Sequence, residues 1–251
     1  MQLVAHERSP YGELRVFDTT ELYGELGRFR VLQFADGAVQ GAIDLRDPAR
    51  IVLPYQRAIV HLMETIRPSF GRAFVIGHGA GTIAGRYPEE RTETAEIDAA
   101  VVELSRAYFG YTLNNVAIGD GRELLSRTEP RSFDYVVADA FTADGTPPQL
   151  ATIEFFELAR DKLRPGGAIL VNVIGRGGRD KRISSMLSTL QAVFPYAEAL
   201  VGTEGEAGEG ANLILVAGPS EIAGSYAFPQ GWRPAFYEPG HPRRDRGAKR
   251  Q

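Results

Sequence analysis

From residue 73 onward, short apolar runs of strand type alternate with segments of helical period, and this alternation limits the fold more than any other feature. Strands are expected over 73–77, 91–97, 115–119, 133–139 and 168–174. Helices are expected over 99–109, capped by Asp98, over 148–163 and over 181–194. Arg164-Pro165-Gly166-Gly167 is a strong stop before the fifth strand. Such an order buries parallel strands between helices, so a doubly wound, Rossmann-like α/β sheet is expected. Two last strands, 197–201 and 212–217, leave too little chain between them for a helical crossover. They should form an antiparallel hairpin and bring the sheet to seven strands.

The first fifty residues follow a different rhythm, with short antiparallel strands expected over 13–18, 30–34 and 39–45 and a hairpin signal at Asp36-Gly37. A helix over 54–66 places Ile59, Leu62, Met63 and Ile66 on one face, and Pro68 stops it. Beyond Phe228 the chain is rich in Pro, Gly and Arg and reads as a flexible tail. The expected division is a β region over 1–52, the α/β domain over 53–228 and the tail over 229–251.

Cysteine is absent from the 251 residues, which excludes a disulfide scaffold, a thiolate metal site and a cysteine nucleophile. The four histidines show no ligand spacing, so no metal is expected. A net charge of -4 gives no general case for nucleic-acid binding. No apolar run approaches the roughly 18–20 residues of a membrane span, and the first residues lack a signal-peptide pattern. A soluble, cytoplasmic protein without a membrane partner is the expectation.

Chemistry concentrates at the strand ends. Gly77-His78-Gly79-Ala80-Gly81 follows the first core strand, where glycines let a backbone approach a ligand closely. A tight structural turn is the alternative. Without a Walker lysine or a full G-x-G-x-x-G, a nucleoside lacking phosphates fits better than a dinucleotide. Glu96 ends the second strand, 19 residues after Gly77, a spacing from which a carboxylate reaches both hydroxyls of a ribose. Capping of the next helix is its other use, but Asp98 already fills that role. Asp120 and Gly121 follow the third strand, where the acid can accept from an adenine amine and the glycine leaves room for the ring. An ordinary helix cap is the competing reading of Asp120. Asp139 ends the fourth strand and can hold an amine, take its proton or balance a sulfonium, or else anchor its own loop.

Taken together and in order, Ala35-Asp36-Gly37-Ala38-Val39-Gln40, Pro54-Tyr55-Gln56-Arg57, the glycine turn, Ala95-Glu96-Ile97-Asp98, Gly119-Asp120-Gly121-Arg122, the strand ending in Asp139 and Leu163-Arg164-Pro165-Gly166-Gly167 resemble the spermidine synthase family. The resemblance covers residues 11–174 and is similar to a diverged branch with a D-A-F-x-x-D-x-x-P loop. It implies the class I methyltransferase fold and aminopropyl transfer to a small-molecule amine or polyamine. The implied donor is decarboxylated S-adenosylmethionine, or S-adenosylmethionine itself. Gln56 would then contact the nucleoside, Tyr55 would line the amine channel, and Asp139 would orient and deprotonate the amine. Self-association into a homodimer through the N-terminal strands is implied in the same way.

Departures are concentrated at the amine end. Ala80 stands where the family has the aspartate that receives the donor ammonium, and Arg57 where it has a glutamate. A second loop acid is lost or displaced to Asp144, and a late P-T-Y-P-S-G segment is replaced by the acidic run 204–210. Methyl transfer, helped by Arg57 if it points inward, and nucleoside binding without turnover are therefore the alternatives.

Overall fold

The computed structural model describes residues 1–34, 37–142, 145–175, 180–202, 211–245 and 247. Four antiparallel strands form the N-terminal sheet in sequential order: β1 (Gln2–Ser9), β2 (Gly12–Leu22), β3 (Glu25–Phe34) and β4 (Val39–Asp44). β1 carries no sequence signal because it is an edge strand, with most of its residues exposed and no apolar face to alternate. β2 and β3 meet in a two-residue turn, Tyr23-Gly24, with φ of 50° and 75°, the left-handed pair that matches strand twist. β3 and β4 also pair, although Asp36 of the hairpin signal lies outside the described residues. Leu14, Val16 and Leu32 pack on Val101, Leu104 and Phe109, which ties this sheet to α2 (Ala99–Tyr108).

The second sheet has the order β12-β10-β11-β9-β8-β5-β6-β7. Its parallel part is β5 (Ala73–Ile76), β6 (Thr92–Glu96), β7 (Val116–Ile118), β8 (Phe133–Ala138) and β9 (Leu163–Gly175). β10 (Tyr196–Gly202) and β11 (Ala211–Gly218) form the expected antiparallel hairpin, with 203–210 outside the described residues. α1 (Pro54–Ile66) begins with proline at its first turn, where the missing N–H costs nothing, and packs on one face with Val75, Val137 and Leu170. α4 (Ile153–Lys162) and α5 (Lys181–Gln191) cover the other face around Phe155, Phe156, Leu190 and Leu215. Among the described residues, no helix is long and apolar enough to cross a membrane.

Two expectations need correction. The helix expected from 148 starts at Ile153, because Thr152 caps it by accepting from Phe155 N–H, and Pro148–Leu150 forms only a short 3₁₀ turn. The sheet has eight strands and not seven, since residues 229–245 are not a loose tail. β12 (Trp232–Ala235) pairs with β10, Tyr237 is buried, and Arg122 forms a two-pronged ion pair with Asp245 at 2.9 and 2.6 Å. Pro234 disguised this strand. Proline is tolerated there because β12 is an edge strand.

Candidate active site

The parallel ladder continues past the strand ends and brings the candidate residues onto one edge. Gly77 N–H donates to Ala95 O at 2.9 Å, Asp139 N–H to Ile76 O at 2.8 Å, and Gly119 N–H to Glu96 O at 2.8 Å. The glycine turn is held tightly by the protein itself. Gly77, Gly79 and Gly81 have φ of 99°, 55° and 83°. A Cβ on them would collide with Asp139 O, Gln40 O and the Tyr111 ring in turn. Gly121 likewise presses on the Ile76 side chain, so packing of α3 (Gly121–Ser126) on β5 accounts for it.

Glu96 is buried, and each of its carboxylate oxygens accepts a backbone N–H at 2.9 Å, one from His78 and one from Asp98. The expectation that Asp98 makes it structurally redundant is corrected: Glu96 clasps the glycine turn to the end of β6. Burial raises its pKa, while the two backbone donors oppose that shift. Asp120 caps α3, accepting from Glu123 N–H at 3.0 Å, and its second oxygen lies 3.5 Å from the Gln149 amide nitrogen. Both acids keep free lone pairs for a ligand hydroxyl or amine.

Asp139 is the centre of a polar cluster built from three elements. It is half-buried just past β8, and burial pushes its carboxyl up to about 6. Asn172 of β9 donates to its Oδ1 at 2.8 Å, and the Tyr55 hydroxyl also favours the charged form. Tyr55 is buried at the start of α1, and desolvation together with the Asp139 charge holds its phenol well above the ordinary range. Gln56 donates to the Tyr55 hydroxyl at 3.3 Å. The Gln56 and Asn172 amide oxygens are buried without a partner among the described residues. Sequence reasoning missed Asn172. Its signal was present as a single amide within the apolar run Ile169-Leu170-Val171-Asn172-Val173-Ile174.

Other candidates lie away from this cluster. Ala80 packs with Leu14, Val16, Leu32 and Val101, and a Cβ on Gly41 of β4 would collide with it. Arg57 does not point inward: it donates to Ile51 O and Val52 O and lines an outer hollow with His61, Glu64 and Arg86. His78 bonds Ser105 Oγ at 2.8 Å and stacks edge-on to Tyr111. Burial lowers it to about 4, so it stays neutral and acts in packing. Asp144 lies outside the described residues. Among those residues, no three His, Asp or Glu side chains gather into a metal-binding group.

A mostly parallel α/β sheet flanked by a small antiparallel sheet is the class I methyltransferase-like architecture of solved spermidine synthases, and here acids follow three of its parallel strands, β6, β7 and β8. A probable spermidine synthase from Corynebacterium glutamicum aligns over 100% of this chain and 99% of its own, at TM-score 0.80 and 19% identity. A spermidine synthase solved with the transition-state analogue AdoDATO aligns over 90% of this chain and 76% of its own, at TM-score 0.65 and 16% identity. The family model for the spermine/spermidine synthase domain matches residues 52–217, and the chain belongs to that family. It is similar to the spermidine synthase of Schizosaccharomyces pombe, 28% identical over 78% of this chain and 66% of the relative. It is similar also to putrescine N-methyltransferase 2 of Nicotiana attenuata, 29% identical over 67% of this chain and 45% of the relative. The chain thus spans about half to two thirds of these curated relatives.

Proposed function

We propose that this chain transfers an aminopropyl group from decarboxylated S-adenosylmethionine to a small primary amine or polyamine. The observation that carries this reading is the Asp139 carboxylate, set beside the Tyr55 hydroxyl at the end of β8 and raised toward neutrality. The amine nitrogen attacks the carbon attached to the sulfonium, a C–N bond forms as the C–S bond breaks, and the bonding pair leaves on sulfur. Positive charge moves from sulfur to nitrogen, and Asp139 orients the amine and takes up one N–H proton. Tyr55 remains protonated throughout and supports the carboxylate from one side. Glu96 and Asp120 would hold the ribose and adenine of the donor, with Gln56 beside them. Gly77, Gly79, Gly81 and Gly121 shape the wall on which the nucleoside rests.

A second reading has its own support. With Ala80 turned into an apolar cluster, no carboxylate stands there to favour the decarboxylated donor or repel the intact one. Relatives named as putrescine N-methyltransferases carry the same kinship as those named as aminopropyltransferases. Incubation with each donor and a series of amines separates the two readings. Amine-dependent methylthioadenosine is the expected product; S-adenosylhomocysteine instead would establish methyl transfer. Binding of methylthioadenosine with neither product would mean a nucleoside-binding protein without this chemistry.

A further inference from the structure

Within the Tyr55–Asp139 cluster, each of the two side-chain amides turns its nitrogen to the carboxylate or to the phenol beside it. Asn172 Nδ2 donates to Asp139, and Gln56 Nε2 donates to Tyr55, which itself supports Asp139. The amide atoms left without a partner among the described residues are both acceptors, Asn172 Oδ1 and Gln56 Oε1, and both are buried. Buried amide oxygens without donors are costly, and they occur where a ligand or water supplies the missing N–H or O–H. Along β9, Ile169, Val171 and Val173 face α4 and α5, while Ala168 and Leu170 face α1. Asn172 continues the α1-facing row and is almost fully buried. An amide in that row has no packing advantage over leucine.

We infer that Asn172 is the positioning residue of Asp139, fixing the carboxylate by one oxygen and offering its own carbonyl oxygen, with that of Gln56, to further N–H groups of a primary amine. This rests on the proposed amine chemistry for its ligand half only. The groups bearing on Asp139 are Tyr55 from α1, Asn172 from β9 and the Glu96 charge from β6, which raises its pKa. Tyr23, in the β2–β3 turn, bears on Tyr55 in turn. No cation is among them, so the Asn172 N–H is the principal support of the ionised form.

The test is a carbon-NMR titration of the full chain with labelled aspartate carboxyls, Asp139→Asn identifying the signal. The parent should titrate near 6, the value that burial gives the group. Asn172→Leu, similar in size but without a donor, should move the midpoint up by about one unit or more, and Asn172→Gln should restore part of the shift. An unmoved midpoint in Asn172→Leu overturns the positioning role whether or not the protein turns over. In calorimetry with 1,4-diaminobutane in the presence of methylthioadenosine, Asn172→Leu should weaken diamine binding about tenfold and leave nucleoside affinity unchanged. Equal diamine affinity in parent and variant overturns the ligand half. A parent that binds no diamine overturns that half together with the proposed function, and the titration still decides the role of Asn172 toward Asp139.

Discussion

Two carboxylates at strand ends on either side of β5 are held in opposite ways by their surroundings. Glu96 meets two backbone N–H groups, whereas Asp139 meets one amide N–H and a phenol. Asp139→Asn keeps the shape and removes basicity, so turnover should fall by about 10²–10⁴ while methylthioadenosine affinity holds. Single-turnover rates set against donor affinity check this, and a fall of less than about fivefold would reduce Asp139 to a loop anchor. The same variant has a stability signature. Because the folded pKa lies above the ordinary value of 3.8, ionised Asp139 destabilises the native state, and stability is lost as pH rises from about 4 toward 6. Asp139→Asn should therefore be more stable than the parent by about 1–2 kcal/mol above pH 6, with the gap closing below pH 4. Urea unfolding at the two pH values measures the difference. For Glu96→Gln the amide can accept only one of the two N–H groups, so both stability and donor binding should suffer. A loss of about 1–3 kcal/mol in unfolding and about tenfold or more in methylthioadenosine affinity is expected. Unchanged affinity alongside lowered stability would leave Glu96 as a clasp only.

Among elements, the glycine turn shows how two sheets cooperate in shaping the site. It runs past Gln40 and Gly41 of β4 on one side and Asp139 on the other, so the N-terminal sheet sets the position of the proposed donor end. Position 80 looks toward that sheet, among Leu14, Val16 and Leu32. Ala80→Asp would accordingly bury a charge in an apolar cluster. It should lower stability by roughly 2 kcal/mol or more, without improving affinity for the decarboxylated donor over the intact one. Thermal unfolding and paired calorimetry decide; a stable variant with switched donor preference would mean that the residue reaches the ligand after all. Side-chain direction is what the sequence could not supply here. The G-x-G-x-G turn, Glu96, Asp120 and Asp139 were readable, because strand ends follow from the apolar runs that precede them. The inward or outward aim of Ala80 and Arg57 was not readable, because it depends on a partner sheet and a helix face brought in from elsewhere in the chain. Asn172 was readable in principle, as an amide interrupting a buried strand, but its meaning required Asp139 as a neighbour.

At the scale of the whole molecule, the strands lost to sequence reading were two of the four edge strands, β1 and β12, whose edges need little apolar patterning. Composition marked residues 229–251 as a flexible tail, yet 229–245 form a strap along the α4–α5 face. Ile153 N–H donates to Arg243 O at 2.8 Å, Gly240 N–H to Ser188 Oγ at 2.9 Å, and Arg243 N–H to Thr189 Oγ1 at 3.0 Å. The strap also reaches the proposed donor end of the site. Arg122, gripped by Asp245, donates to Gln149 O at 3.1 Å, and the Gln149 side chain lies against Asp120. Ending the chain at residue 228 would expose the β10 edge, open the site filled by Tyr237 and release Arg122. With roughly 2–4 °C per kcal/mol at this chain length, the truncated protein should melt about 5–15 °C lower. Methylthioadenosine should also bind more weakly, since the Gln149–Asp120 wall loses its brace. Asp245→Ala isolates that second effect, because it cuts the brace and leaves β12 paired. Calorimetry on both variants and the parent is the measurement. A truncated chain with the parent's melting temperature would restore the loose-tail reading. Unaltered nucleoside affinity in Asp245→Ala would limit the strap to holding the fold.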